Sequence, residues 1–314
     1  MKATRFHEFG DADVLQFQDV DRPAPGAGEV LVRVAATSFN GVDAGIRGGY
    51  LTGPFPVALP HTPGIDVAGT IETLGSGLDQ LDVGVEVVGF LPMVADGASA
   101  EYVVAPAEVL TPAPSSIPLT DAAALPLVGL TAYQALFEHG GLAAGQRILI
   151  NGAGGGVGGY AVQLAKNARA HVVASAGPGS IDRVKAAGAD EVIDHTTTDV
   201  ATAISDAVDV VLNLAPIGPD RLAALVDLVR PGGVVVNTVA SMEAPTDQGR
   251  DVRGVNVYVR SDAEQLAHLV ALVDSGELRV DVAERVRLAE LPALHAKADN
   301  GTLSGKAVVV VADA

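Results

Sequence analysis

The stretch from Arg147 to Lys166, RILINGAGGGVGGYAVQLAK, limits what this chain can fold into more than any other. Ile148, Leu149 and Ile150 form a short apolar run of the kind a buried parallel strand shows. The segment Gly152-Ala153-Gly154-Gly155-Gly156-Val157-Gly158 follows, almost all of it without side chains. Val157, Ala161, Val162, Leu164, Ala165 and Ala168 then recur at the spacing of a buried helix face. A glycine cluster alone also serves as a linker, but a strand before it and a helix after it make a site for a dinucleotide pyrophosphate. Glycines let backbone N–H groups approach the phosphates, and the helix N-terminus adds partial positive charge. Two registers fit: Gly152, Gly155 and Gly158 as G-x-x-G-x-x-G, or Gly154, Gly156 and Gly159 as G-x-G-x-x-G. Spacing does not choose between them.

The flanking sequence sorts into two kinds. Residues 1 to about 110 are β-rich, with strands expected at Val30–Ala35, Val67–Leu74, Val85–Phe90 and Tyr102–Val104 between Gly, Asp and Pro punctuation. Such short strands with irregular turns suggest a partly open barrel. Thr111-Pro112-Ala113-Pro114 marks a boundary, and Asp121 to Leu136 reads as one helix capped by Thr120. Strands then alternate with helices: Ile148–Ile150, His171–Ala174, Glu191–Ile193, Val208–Leu212, Val234–Val236 and Val255–Val259, with helices near Val157–Ala168, Ile181–Ala187 and Leu222–Val229. That alternation is the pattern of an α/β, doubly wound parallel sheet. A helix from Ala263 to Asp274, a strand near Arg285–Leu288, a helix from Leu291 and a strand at Ala307–Val311 complete the chain. These last elements are expected to rejoin the first domain, giving residues 1–120 plus 260–314 as one domain and 121–259 as the other.

Composition removes several classes of chemistry. With no cysteine among 314 residues, disulfides, thiolate zinc sites and a cysteine nucleophile are excluded. A formal charge of −18 argues against nucleic acid or an anionic membrane as partner. Neither a signal-peptide pattern nor a run of about 20 apolar residues is present, so a soluble cytoplasmic protein is expected.

Several segments together resemble the zinc-independent quinone oxidoreductases of the medium-chain dehydrogenase/reductase superfamily. They are Pro60-His61-Thr62-Pro63-Gly64-Ile65-Asp66-Val67-Ala68-Gly69, Leu125-Pro126-Leu127-Val128-Gly129-Leu130-Thr131-Ala132-Tyr133, the glycine turn, Ala187-Gly188-Ala189-Asp190-Glu191-Val192-Ile193-Asp194, and Gly305-Lys306. The resemblance implies a GroES-like, partly open β-barrel catalytic domain, a Rossmann domain, and a cofactor in the cleft between them. Zinc-bearing members of the superfamily hold a catalytic metal with two cysteines and a histidine. Laid on this sequence, those positions fall near Asn40, Ile65 and Leu127, and neither isoleucine nor leucine ligates zinc. No metal is therefore expected.

NAD-specific Rossmann domains place an acid about 20 residues past the glycine turn, to bind the ribose 2′-hydroxyl. Here the second strand ends in Ala174-Ser175-Ala176-Gly177, with no acid before Asp182. NADP(H) is the expected cofactor, with Ser175, Arg183 and His195 as candidates for its 2′-phosphate; a helix-surface Arg183 and a solvated His195 are the alternatives. Relatives carry a tyrosine where His195 stands, and often a lysine near Pro178–Ser180 that this chain lacks. Asn213, Ala215, Asn237, Thr238 and Val239 end the fourth and fifth strands; by resemblance their backbones line the nicotinamide, and the alternative is strand-end capping. By resemblance Thr131 lies near the nicotinamide, unless it is an ordinary helix residue. Asn40, Asp43 and Tyr50 belong to a segment that faces the cofactor in relatives, Asp43 reading better as a helix-start acceptor. His61, in a proline-rich loop, reads as a surface residue sooner than as an acid of the pocket. The implied activity is hydride transfer from NADPH to a quinone or an activated C=C bond, with Asn40, Tyr50 or water as donors toward the acceptor. An enone or enoyl reductase and a non-catalytic, crystallin-like NADPH-binding protein are the rival readings. A homodimer joined through edge strands near Val255–Val259 is implied as well.

Overall fold

The computed structural model describes residues 1–78 and 81–311. It begins with an antiparallel ribbon of β1 (Lys2–Phe6) and β2 (Leu15–Asp19), which the sequence reading did not find. Then come β3 (Glu29–Ser38), α1 (Gly41–Arg47), β4 (Asp66–Leu74), β5 (Glu86–Phe90), β6 (Tyr102–Pro106) and β7 (Leu110–Pro112). On β3, Val30, Val32 and Val34 alternate into a core shared with Val67, Ile71, Val87, Leu91 and Val103. Arg33 points away from it.

The single helix expected from Asp121 to Leu136 is two. One is α2 (Leu119–Ala122), whose cap is Pro118 and not Thr120; the other is α3 (Pro126–Tyr133), continuing as a π-helical turn over Gln134–His139. Pro126 accounts for the break: it has no N–H to donate and disfavours helical geometry in the residue before it, yet suits the first helical position.

The alternating region gives β8 (Arg147–Asn151), α4 (Gly156–Asn167), β9 (His171–Ala176), α5 (Ile181–Ala186), β10 (Glu191–Asp194), α6 (Val200–Ala203), β11 (Val208–Asn213), α7 (Pro219–Leu225), β12 (Val229–Asn237) and β13 (Arg253–Asn256). These six strands form one parallel sheet in the order β10-β9-β8-β11-β12-β13. That order is the doubly wound Rossmann topology, and β8 and β11 flank its switch point. Ile148, Leu149, Ile150, Val211 and Leu212 are fully buried because helices cover both faces. Two expected boundaries shift. The helix expected to reach Val229 ends at Leu225 before a 3₁₀ turn, and the edge strand ends at Asn256 instead of Val259. Beyond Val257 the chain is drawn off the sheet by the Gln134 carboxamide, which bonds both Arg260 N (3.1 Å) and Arg260 O (3.0 Å).

The chain ends with α8 (Ala263–Asp274), β14 (Glu284–Arg287), α9 (Leu291–Asp299) and β15 (Ala307–Val310). β15 pairs antiparallel with β3 and parallel with β14, closing a sheet of order β14-β15-β3-β4-β5-β7, with β6 also on β3. Two compact units result: Met1–Leu127 with Ser261–Ala314, and Val128–Arg260. The barrel-like, GroES-type sheet of the first and the parallel Rossmann sheet of the second are the two halves of the expected α/β architecture.

In the first unit α1 is tied to α9 through a buried guanidinium. Arg47 donates to both Asp299 oxygens (3.0 and 2.8 Å) and to Nδ1 of His295 (3.0 Å), whose ring packs edge-on against Phe39. Burial, with Arg47 adding to it, holds His295 down at about 3, so the folded ring is neutral. Asp43 is pushed up to about 6, chiefly by burial, although the N–H groups of Gly64 and Asn40 pull it down.

These shifts have opposite consequences. The histidine contributes stability above its unfolded value of 6.5 that is lost as pH falls toward 3. The aspartate contributes stability that grows as pH falls from about 6 to its unfolded 3.8. Each slope is at most about 1.4 kcal/mol per pH unit, so the two largely cancel between about pH 6 and 4. Urea unfolding across that window should find Asp43→Asn losing stability with acid and His295→Gln gaining it. Parallel profiles for both variants and the parent would overturn this assignment.

Candidate functional site: a glycine turn and a closed polar cluster

At the end of β8 the chain turns at Gly152 with φ +87°, and a Cβ there would lie 2.9 Å from that of Ala215. Conformation and space both demand glycine. A Cβ on Gly158 would come within 2.3 Å of the Ala153 carbonyl oxygen, because α4 packs directly on the turn. Gly155 caps α4, and a Cβ there would meet nothing nearer than Gly152 O at 3.8 Å. Gly152, Gly155 and Gly158 therefore divide the work into turning, open approach and packing, which selects the G-x-x-G-x-x-G register. Gly154 is confined for a different reason: a Cβ would strike Ser180 Oγ at 2.2 Å. Gly156, Val157 and Gly158 form the first turn of α4, where backbone N–H groups have no intrahelical acceptor. An open cradle at a helix N-terminus fits a pyrophosphate.

Beside the turn lies a cavity of about 380 Å³, lined by Gly152, Ser175, His195, Thr197, Ile217 and Arg221 among others. Ser175 was expected to offer its hydroxyl to a phosphate. It is 1% exposed; its Oγ donates to Asn151 Oδ1 (2.6 Å) and accepts from Gly152 N (2.9 Å), so it holds the turn instead. Arg183, on α5, donates to Gly154 O at 3.1 Å and keeps a cation against the glycines. His195 is exposed at the cavity rim. Asp199 is the one carboxylate of the lining, and it accepts from Thr202 N to cap α6. Arg221 escaped the sequence reading; it stands exposed on α7 with no hydrogen bond or ion pair among the described residues. Nothing in the sequence marks it, since an arginine in the first turn after a proline is an ordinary surface choice.

At the carboxyl end of the sheet, Asn213 and Asn237 are buried and bonded to each other (Nδ2 to Oδ1, 2.9 Å). Thr238 donates through N and Oγ1 to Asn213 O, Val239 O accepts from Asn237 Nδ2, and Ala215 O accepts from Asn213 Nδ2. Thr131 lies on α3 and is buried.

The other candidates fall in the first unit, where Asn40 and Tyr50 have opposite environments. Asn40 is buried at the N-cap of α1 in a capping box with Asp43. Its Nδ2 donates to Asp66 Oδ2 (2.9 Å), and its Oδ1 accepts from Lys306 Nζ (2.5 Å). Asp66, fully buried, also accepts from Ser38 Oγ and from Leu127 N (2.7 Å), with the Lys306 ammonium 3.4 Å away. Burial lowers Lys306, opposed by Asp66 and Asp43. Of the three positions compared with zinc ligands, Ile65 and Leu127 are apolar and Asn40 is already bonded to an ammonium. That donor set does not fit a divalent cation. Tyr50 is 81% exposed, its ring lying over Gly48. His61 corrects the surface reading: it is 5% exposed, edge-on to Phe6 at 5.3 Å, because the Phe6 and His61 backbones bond each other. Burial lowers its pKa, against the pull of Asp96.

Comparison with known proteins agrees with this anatomy. Residues 26–115 match the alcohol dehydrogenase GroES-like domain, and residues 187–309 match the zinc-binding dehydrogenase domain, a match that includes none of Asn40, Ile65 and Leu127. The chloroplastic quinone-oxidoreductase of Triphysaria versicolor is 33% identical, with 98% of each chain covered. The 2-methylene-furan-3-one reductase of Solanum lycopersicum is 32% identical over 89% of this chain and 70% of its own. A mycobacterial protein solved in complex with NADPH superposes with a TM-score of 0.85 at 26% identity, covering 99% of this chain and 100% of that one. A Rossmann sheet with a nicotinamide-type glycine turn, a GroES-like unit and this degree of likeness lead to one conclusion: the chain belongs to the quinone-oxidoreductase-like family of the medium-chain dehydrogenase/reductase superfamily.

Proposed function

We propose that this oxidoreductase uses NADPH to reduce a quinone or an activated C=C bond, without a metal. The observation that carries the cofactor choice is the cavity beside the glycine turn. Its single carboxylate is engaged in capping α6, while Arg221, unpaired among the described residues, stands on its wall. A 2′-phosphate meets a cation there and no free acid. When bound, the nicotinamide supplies the hydride, and the protein contributes binding, orientation and electrostatics. The first-turn N–H groups of α4 would bind the pyrophosphate, and Arg183 would add charge beside it. Asn40 has one amide N–H on Asp66 and its oxygen on Lys306, which fixes its orientation, and a carboxamide is no proton acid, so it orients its surroundings and does not protonate the acceptor. Tyr50 stands in solvent, where water competes with it as proton donor. The acceptor reading rests on the quinone oxidoreductase and furanone reductase likenesses. On the same footing, the edge strand β13, followed by the exposed Tyr258, would pair with a second copy, for which sedimentation equilibrium would show a dimer.

Three measurements test this reading. Arg221→Ala should raise the Kd for NADPH about tenfold, or ~1.4 kcal/mol, and leave NADH nearly unchanged; equal losses for the two cofactors would remove the argument. Gly155→Val should abolish cofactor binding with an almost unaltered Tm, whereas Gly158→Val should lower the Tm, because only the latter drives a side chain into backbone. Native NADPH affinity in Gly155→Val would place the phosphates elsewhere. Tyr50→Phe should cost less than about tenfold in kcat on quinones. A thousandfold loss with cofactor binding intact would make Tyr50 an essential acid.

A further inference from the structure

Four neighbouring strands of the Rossmann sheet end in asparagine at one level. Asn151 of β8 is the register partner of Asn213 of β11, Asn213 of Asn237 on β12, and Asn237 of Asn256 on β13. On β9, Ser175 follows Ala174, the partner of Ile150, and completes the row. The side chains are bonded in one direction. Ser175 Oγ donates to Asn151 Oδ1 (2.6 Å), and Asn151 Nδ2 to Asn213 Oδ1 (2.8 Å). Asn213 Nδ2 donates to Asn237 Oδ1 (2.9 Å), and Asn237 Nδ2, whose two hydrogens serve three acceptors, shares one of them with Asn256 Oδ1 (3.1 Å). Asn256 Nδ2 donates to Glu243 Oε2 (2.7 Å). Ser175, Asn151, Asn213 and Asn237 are nearly or fully buried.

The direction has a cause at each end. An ionised carboxylate only accepts, so Glu243 turns the Asn256 amide toward itself and leaves its oxygen for Asn237. A hydroxyl has one proton, which Ser175 gives to Asn151, and its lone pair then receives the Gly152 N–H at 2.9 Å. Between the ends, the row collects the loop tips. Ala215 O accepts from Asn213, Val239 O and Met242 O accept from Asn237, and Ala244 N donates to Asn256. Aligned amide dipoles at buried positions strengthen one another, and such a network acts as a unit more than as separate pairs.

We propose that this row of asparagines is a positioning device for the cofactor turn: it holds the Gly152 amide in place from as far away as Asn256 and Glu243 at the edge of the sheet, three strands from β8. Asn256 and Glu243 are then positioning residues, acting on the pyrophosphate site through the row and without touching it. This rests on the dinucleotide reading of the glycine turn, but not on the choice of NADPH over NADH, because the row ends at the turn and not at Arg221.

The test uses the full chain. Amide hydrogen exchange at Gly152 is followed without cofactor, and the Kd values of NADPH and NADH are measured separately. Asn256→Ala, half-buried and on an edge strand, should speed Gly152 exchange and weaken both cofactors alike, each about fivefold. The pair Asn256→Asp with Glu243→Gln reverses the last bond: the introduced carboxylate accepts from both Asn237 and the new amide, so exchange and affinities should return to within about twofold of the parent. Should Asn256→Ala fold poorly, Glu243→Ala, an exposed change, should produce the same two effects more weakly. Unaltered Gly152 exchange in both single variants, or failure of the exchanged pair to restore it, overturns the proposal. A protein that binds NADH as tightly as NADPH, yet shows these effects on both, overturns the cofactor preference and leaves the positioning role intact.

Discussion

Gly152 must turn the chain through a left-handed conformation with Ala215 pressed against it, and glycine has no side chain with which to hold that shape. Left free, it is the residue with most conformational entropy to lose. The surroundings therefore supply the restraint. Ser175 takes its N–H, Asn151 takes the serine proton, and α4 closes on the turn where Gly158 meets the Ala153 backbone. Much of the second unit follows from this one constraint: the starting point of α4, the commitment of Ser175 inward, and the polar row at the carboxyl edge of an otherwise apolar sheet. A core of valine, leucine and isoleucine explains why the sheet exists. It does not explain why the sheet ends so exactingly, and the buried amides do.

The first unit meets a different constraint with the same chemistry. Asp66, Asp43 and Lys306 are buried together, and a buried charge is tolerated only when paired and hydrogen-bonded. Asn40 is the joint, donating to Asp66 and accepting from Lys306 while its own N–H caps α1 through Asp43. Removing any one of them strands another, so the cluster is a closed set. By resemblance the zinc-ligand positions of the superfamily fall near Asn40, Ile65 and Leu127, and the residues standing there do not make a donor set that fits a divalent cation. An internal ammonium supplies the positive charge, and two of the three positions are packed with apolar side chains. Asn40 is thus better understood as part of the scaffold than as a free donor.

The strand, glycine turn and helix were legible in the sequence because each is a local pattern. An apolar run, a loss of side chains and a helical spacing all lie within about 20 consecutive residues, and backbone physics acts at that range. The alternating order of the second unit was legible for the same reason, and the absence of cysteine was decisive without any structure. Pro126 breaks the expected helix although its signal is local, because a missing N–H interrupts a helix even where alanine and leucine keep helical spacing across it. The asparagine row was written in the sequence too, as Ile150-Asn151, Leu212-Asn213, Val236-Asn237 and Val255-Asn256, each an apolar residue followed by the same amide.

What the sequence by itself determined, then, was the kind and order of most elements, and most of the residues able to carry chemistry. Only the tertiary structure decided which of those residues meet. Parallel register brought four amides 2.8 to 3.1 Å apart, although more than a hundred residues separate the first from the last. The same folding turned Ser175 inward, set Arg221 on a cavity wall, and buried His61 against Phe6. Periodicity reports which face of an element is apolar, but a hydrogen bond forms between atoms about 3 Å apart, and proximity at that scale is set by how distant segments pack.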